Sequence, residues 1–198
     1  MKTSRIRSSK RRSYKKVYYI VTEGKTTEPS YFKIVDGYMP DDGIAISCHP
    51  ADKSSIPSIL EKAKSLSAQK SQEKDEVWVV ADQDLDSHLA HQFAKLMDWG
   101  NLSPKHHIAI SAPRFEYWLL CHFENAPTKS NAMHDVYVAQ YLPGYDRKKD
   151  LDRHKGKITI QSIQHAIKVA SKSPLSSFNS TCPGSDVWRL VQAILAAQ

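Results

Sequence analysis

Apolar and polar positions along the chain fall into blocks of two kinds. Val17–Thr22 is an unbroken β-branched and aromatic run, which predicts a strand buried on both faces. Pro29 suits the first position of a helix, and Glu28, Tyr31, Phe32 and Val35 then share one helical face, closed by Gly37. Ile44–Cys48 reads as a second strand and Ile56 to about Gln69 as a helix with Ile56, Ile59, Leu60 and Ala63 inward. Val77–Ala81 is another buried strand. Leu89–Trp99 is helical with Phe93, Leu96 and Met97 inward and Gly100 as its stop. Ile108–Ser111 is a short strand, and Phe115–Phe123 an apolar helix after Pro113.

Strand and helix therefore alternate from 17 to 123, which predicts an α/β layered fold with a mostly parallel sheet. The remainder differs. Val136–Leu142, Ile158–Ala170 and Val187–Ala197 read as helices, separated by a charged loop at Pro143–Lys157 and a Ser-rich loop at Ser171–Gly184. The expected organisation is a tail over 1–16, an α/β core over 17–125 and a helical C-terminal extension over 126–198 packed on that core.

Composition narrows the class. A chain of 198 residues with 40% hydrophobic and 25% charged residues suits one soluble domain with a sizeable core. No apolar run approaches the roughly 18 residues of a membrane span, and the basic N-terminus lacks the cleavage site of a secretory signal. Collagen, membrane, mucin and disulfide-scaffold classes are excluded. Cys48, Cys121 and Cys182 are scattered and odd in number, which argues for a reducing cytoplasm and against a disulfide framework or a zinc template.

Charge is localised. Residues 1–16 hold eight of the 28 basic residues and no acid, so the rest of the chain carries 20 basic against 21 acidic residues, a net of −1. The basic character thus belongs to a tail. That tail reads either as a phosphate-binding arm, using Arg5, Arg7, Lys10, Arg11, Arg12, Lys15 and Lys16, or as a solvated terminus.

Acids mark the strand ends. Glu23 follows the first strand, and Asp82 and Asp84 follow the strand at 77–81. Both strands precede helices, so these carboxylates lie on the carboxyl edge of the sheet, where open α/β sheets place their sites. Clustered carboxylates repel, and a divalent cation removes that cost. Oxygen ligands without imidazole or thiolate favour Mg²⁺ or Mn²⁺ over zinc. Gly24 lets backbone approach a phosphate and Lys25 neutralises its charge. The bland alternative is that these acids merely cap helices or sit in loops. No P-loop, dinucleotide fingerprint or G-x-S-x-G elbow is present.

Three ordered motifs add a resemblance. The strand ending Glu23-Gly24 followed by Thr27-Glu28-Pro29-Ser30-Tyr31-Phe32 resembles the opening motif of RloB-like proteins. Asp82-Gln83-Asp84 resembles their acidic motif. Ser111 to Leu120, with His122-Phe123-Glu124, resembles their third block, and Asp186 to Val191 a weaker last one. That family is similar to TOPRIM domains, including the overcoming-lysogenization-defect nucleases. The resemblance implies a TOPRIM-like, mostly parallel sheet with helices on both faces.

It also implies a metal-dependent nuclease. Glu23, Asp82 and Asp84 would hold one metal, and Glu28 and Glu116 would help hold a second. Lys25, Arg114 or Lys148 would steady the phosphate charge, the downstream lysine being one of those around Tyr145. The alternatives are that Glu28 is a plain helix cap and Glu116 a first-turn acid favoured by the helix dipole, while His122 reads as a packed core histidine rather than a base. Family members are linked to bacterial phage defence and restriction loci and are often encoded beside an ATPase, which implies nucleic acid and an ATPase as partners. The competing expectation is a non-catalytic Mg²⁺-binding module that presents nucleic acid within a defence complex.

Overall fold

The computed structural model describes residues 16–40, 43–70, 74–83, 90–125, 134–146, 148, 151–172, 175 and 183–197. The elements run β1 (Lys16–Thr22), α1 (Thr27–Asp36), β2 (Ile44–Pro50), α2 (Ile56–Lys70), β3 (Glu76–Asp82), α3 (Ala90–Asn101) and β4 (His106–Ala112). They continue with α4 (Phe115–Leu120), α5 (His134–Tyr141), a 3-10 turn at Asp152–His154, α6 (Ile160–Ala170), β5 (Gly184–Ser185) and α7 (Val187–Ala196). The sheet order is β2-β1-β3-β4-β5; β1 to β4 are parallel and β5 pairs antiparallel with β4. The α/β class with a mostly parallel sheet is therefore as expected.

The two-residue period of the strands explains the layers. Tyr18 and Ile20 of β1, and Trp78 and Val80 of β3, face one hydrophobic cluster. Val21 of β1, and Val77, Val79 and Ala81 of β3, face the other. One cluster takes α1, α4, α6 and α7; the other takes α2 and α3. Helices thus cover both faces, and the central strands are apolar on both sides for that reason. Val138, Leu142, Leu151, Ile158, Ile163, Leu190, Val191 and Ile194 are fully buried in the same cluster as Ile20 and Phe32, so the C-terminal third helps build the core that α1 packs on.

Several boundaries differ from the sequence expectation. Helix α1 begins two residues before Pro29, and its expected inward face, Glu28, Tyr31, Phe32 and Val35, is buried. Helix α3 runs through Gly100 to Asn101, and Met97 is exposed rather than inward. Strand β5 lies in a Ser-rich stretch with no apolar alternation. It exists through its partner: Ser111 and Ser185 hydroxyls are 2.9 Å apart, and the Asp186 N–H donates to the Ile110 carbonyl at 2.7 Å. Helix α6 starts at its cap, where the Thr159 hydroxyl accepts from the Ser162 N–H. Among the described residues no helix is long and apolar enough to cross a membrane.

If the C-terminal helices share one core with the sheet, Leu190→Ala should cost about 2–5 kcal/mol. It should also leave a single unfolding transition in urea, read by fluorescence and circular dichroism together. Two separated transitions would mean that the C-terminal third folds on its own.

Candidate functional site

The sheet order reverses between β1 and β3: β2 continues from β1 in one direction, β4 from β3 in the other. Loops leaving the carboxyl ends of such strands part and leave a crevice. Register sets its floor. Thr22 pairs with Val80, and the Glu23 N–H still bonds the Val80 carbonyl at 3.1 Å, so Glu23 leaves β1 level with the end of β3. Asp82 is the last residue of β3.

Four carboxylates meet in the crevice, each with one oxygen held by a protein donor. The Asp82 N–H donates to Glu23 Oε2 at 3.1 Å. The Phe115 N–H, at the start of α4, donates to Asp82 Oδ1 at 2.8 Å. The Gly24 N–H donates to Glu28 Oε1 at 2.9 Å, and the Tyr145 hydroxyl donates to Glu116 Oε1 at 2.7 Å. Asp82 thereby supplies the cap that Arg114, the residue preceding α4, does not provide with its own side chain. The Glu23–Thr26 turn is stiffened by the Thr22 hydroxyl, which donates to the Gly24 carbonyl at 2.8 Å.

Gly24 is explained by close approach. A Cβ there would land on the Glu28 carboxylate. The glycine thus leaves room for the Glu28 carboxylate as it stands, where the sequence suggests room for a phosphate.

Burial pushes the Glu28 carboxyl above its ordinary value of 4.5, and the charges of Glu116 and Glu23 push it further in the same direction. Glu28 is therefore both a turn-closing acceptor and a carboxylate facing two others. Glu116 is 2% exposed in the first turn of α4.

The crevice encloses about 720 Å³. Glu23, Lys25, Glu28, Asp82, Glu116 and Lys148 all line it. Gly24, Thr26, Thr27, Ser54, Phe115, Gly144, Tyr145 and Asp146 complete the wall. Asp84, and Arg5, Arg7, Lys10, Arg11, Arg12 and Lys15, lie outside the described residues.

Two expected residues sit elsewhere. Lys16 opens β1 at the amino edge and is ion-paired with Glu76, Nζ to Oε1 2.5 Å, so it belongs to the sheet rather than to a loose arm. Arg114 is half-buried ahead of α4 and is not part of the crevice wall. His122 is buried, as the apolar helix suggested: Nδ1 donates to the Trp118 carbonyl at 3.0 Å, so Nε2 accepts from the Tyr31 hydroxyl at 3.2 Å. Burial brings its pKa down to about 4. Burial likewise pushes the Cys48 thiol up to about 12.

Residues 18–194 match the family model described as RloB-like protein. The chain belongs to the RloB-like family. No curated protein and no solved structure matches it. In this RloB-like chain the four crevice acids lie in the segments that carry the motif resemblance: Glu23 and Glu28 in the first, Asp82 in the second, Glu116 in the third.

Does the donor set fit a cation? Among the described residues no three carboxylate, imidazole or thiolate groups stand together as a finished cage. The donors are nevertheless all hard oxygens, and they repel one another at Glu28. A carboxylate accepts several bonds at once, from protein donors and a cation alike. Hard-oxygen donors are of the kind that Mg²⁺ or Mn²⁺ prefers and a thiolate-preferring ion does not.

Sequence reasoning missed Tyr145 as a partner of Glu116, and it missed Asp146 and Ser54. The Pro143-Gly144 pair, a turn signal, marks where the charged loop turns towards the site.

A raised carboxyl pKa in the folded state means that folding favours the protonated acid. The folded protein is then stabilised by Glu28 protonation at low pH. That contribution declines as pH rises from the unfolded value of about 4.5 through the higher folded value. Glu28→Gln keeps an acceptor for the Gly24 N–H and removes the charge. In metal-free buffer it should melt above the wild type at pH 8, with the gap closing below pH 4.5. A gap that stays constant from pH 4 to 8 would contradict the charge argument.

Proposed function

We propose that this RloB-like protein is a divalent-metal-dependent nuclease that hydrolyses phosphodiester bonds of DNA or RNA. The observation that carries the reading is the crevice itself. Acids from the ends of β1 and β3 and the starts of α1 and α4 converge at the switch point, with Lys25 and Lys148 on the same wall.

Glu23 and Asp82, with Asp84 two positions on in sequence, would hold one Mg²⁺ or Mn²⁺; Glu28 and Glu116 would hold a second. Bound there, such ions polarise a phosphoryl oxygen and lower the pKa of water. The protein's own contribution is orientation. Backbone N–H groups fix Glu23, Glu28 and Asp82, so little rearrangement is needed when the substrate arrives. Lys25 and Lys148 place positive charge beside the phosphate. Thr26 and Thr27 open α1, whose N-terminus favours anions. Arg5, Arg7, Lys10, Arg11, Arg12 and Lys15 would add sequence-blind, salt-dependent affinity for the strand.

The resemblance of the motifs supports the setting: an effector of anti-phage defence in the bacterial cytoplasm, working with an ATPase partner. A second reading, a non-catalytic Mg²⁺-binding module that presents nucleic acid, uses the same acidic crevice. The two differ in one assay.

With Mn²⁺ and a mixture of single- and double-stranded DNA and RNA, the wild type should cleave at least one substrate. Glu23→Gln and Asp82→Asn should each lower the rate by about 100-fold or more, the scale of losing an electrostatic group at a reacting centre. Nucleic-acid binding without cleavage by the wild type, with and without the candidate ATPase, would favour the binding module.

A further inference from the structure

The segment after α5 reaches the crevice under unusual restraint. Leu142 is fully buried, and the Tyr145 N–H donates to its carbonyl at 2.9 Å. Gly144 lies in the left-handed region at φ +71°, a conformation that suits glycine. The Arg153 guanidinium donates to the Gly144 carbonyl. Farther along, buried Leu151 donates its N–H to the Ser30 hydroxyl of α1 at 2.6 Å. Asp152 is ion-paired with Lys33 of the same helix, 2.6 Å apart. The segment is thus tied to the helix that carries Glu28.

What it delivers is a phenol. Tyr145 packs against the main hydrophobic cluster, and its hydroxyl lies 2.7 Å from Glu116 Oε1. Glu116 Oε1 takes a side-chain hydroxyl, whereas Glu23, Glu28 and Asp82 each take a backbone N–H. A glutamate has three rotatable side-chain bonds, and α4 is a helix of six residues. Its carboxylate lines the same crevice as Glu28, and the Tyr145 hydroxyl restrains where it sits.

We infer that Tyr145 is a positioning residue that orients Glu116 towards Glu28 and so defines the second of the two cation positions. The inference rests on the metal-dependent reading of the same crevice. It goes beyond that reading by assigning the orienting group and by separating the two positions: Glu23 takes a donor from β3 and Asp82 one from α4, whereas Glu116 takes the Tyr145 hydroxyl. A hydrogen-bond donor to a ligating carboxylate sets its direction before the metal arrives, and losing such a partner typically weakens metal binding by 10–100-fold.

The test is calorimetric titration of Mn²⁺ into the full chain as wild type, Tyr145→Phe and Asp82→Asn, with thermal unfolding of each. The wild type should bind in two resolvable steps. Tyr145→Phe keeps the ring and should weaken one step by about tenfold or more, leaving the other step and the metal-free melting temperature unchanged. Asp82→Asn should weaken the step that Tyr145→Phe leaves intact. Binding by Tyr145→Phe equal to the wild type would overturn the inference while leaving the metal reading in place. Equal weakening of both steps with a lowered melting temperature would overturn it in favour of a purely structural tyrosine. A wild type that binds no Mn²⁺ would overturn the metal reading and the inference together.

Discussion

Burying Glu28 beside Glu23 and Glu116 is unfavourable, and much of the local structure serves to hold those acids in place despite it. Removing a carboxylate from water and setting it near two others raises its pKa, as both burial and charge do here. The compensation is donors. Gly24 offers its N–H at 2.9 Å and has no Cβ to occupy the space the carboxylate needs. Asp82 offers its N–H to Glu23 while its own carboxylate closes the start of α4. One residue therefore links two of the acids to a third element.

The wider fold supports that knot. The parallel pairing of β1 with β3 puts Thr22 opposite Val80, so Glu23 and Asp82 leave the sheet within a residue of each other, and the reversal of strand order opens the space above them. Both faces of these strands are sealed by apolar layers, so the strand ends are rigid platforms. The T-shaped contacts of Tyr31 with Phe115 and Trp118 lock α1 to α4, the helices that bear Glu28 and Glu116. The C-terminal third closes the wall through Tyr145, Asp146 and Lys148.

Much of this was legible in the sequence. Continuous apolar runs at Val17–Thr22 and Val77–Ala81 read as central strands because the sheet is covered on both faces. An acid after each run then placed Glu23 and Asp82 on one edge. The motif resemblance added Glu28 and Glu116, which periodicity alone leaves as a cap and a first-turn acid. Other features depend on distant partners. Strand β5 is defined by Ser111 and Ile110, more than seventy residues away, and carries no pattern of its own. Lys16 looks like tail by charge, yet its ion pair is with Glu76 in the neighbouring strand. The Tyr145–Glu116 bond joins residues 29 apart, across a charged stretch with no periodicity.

Everything proposed for this protein depends on the four-carboxylate crevice being a divalent-cation site. The most direct measurement is a crystal structure of the full chain grown with Mn²⁺, located by anomalous scattering. Anomalous density is expected between Glu23 and Asp82, with further density where Glu28 faces Glu116. Well-ordered carboxylates with no anomalous density in the crevice at saturating Mn²⁺ would contradict it.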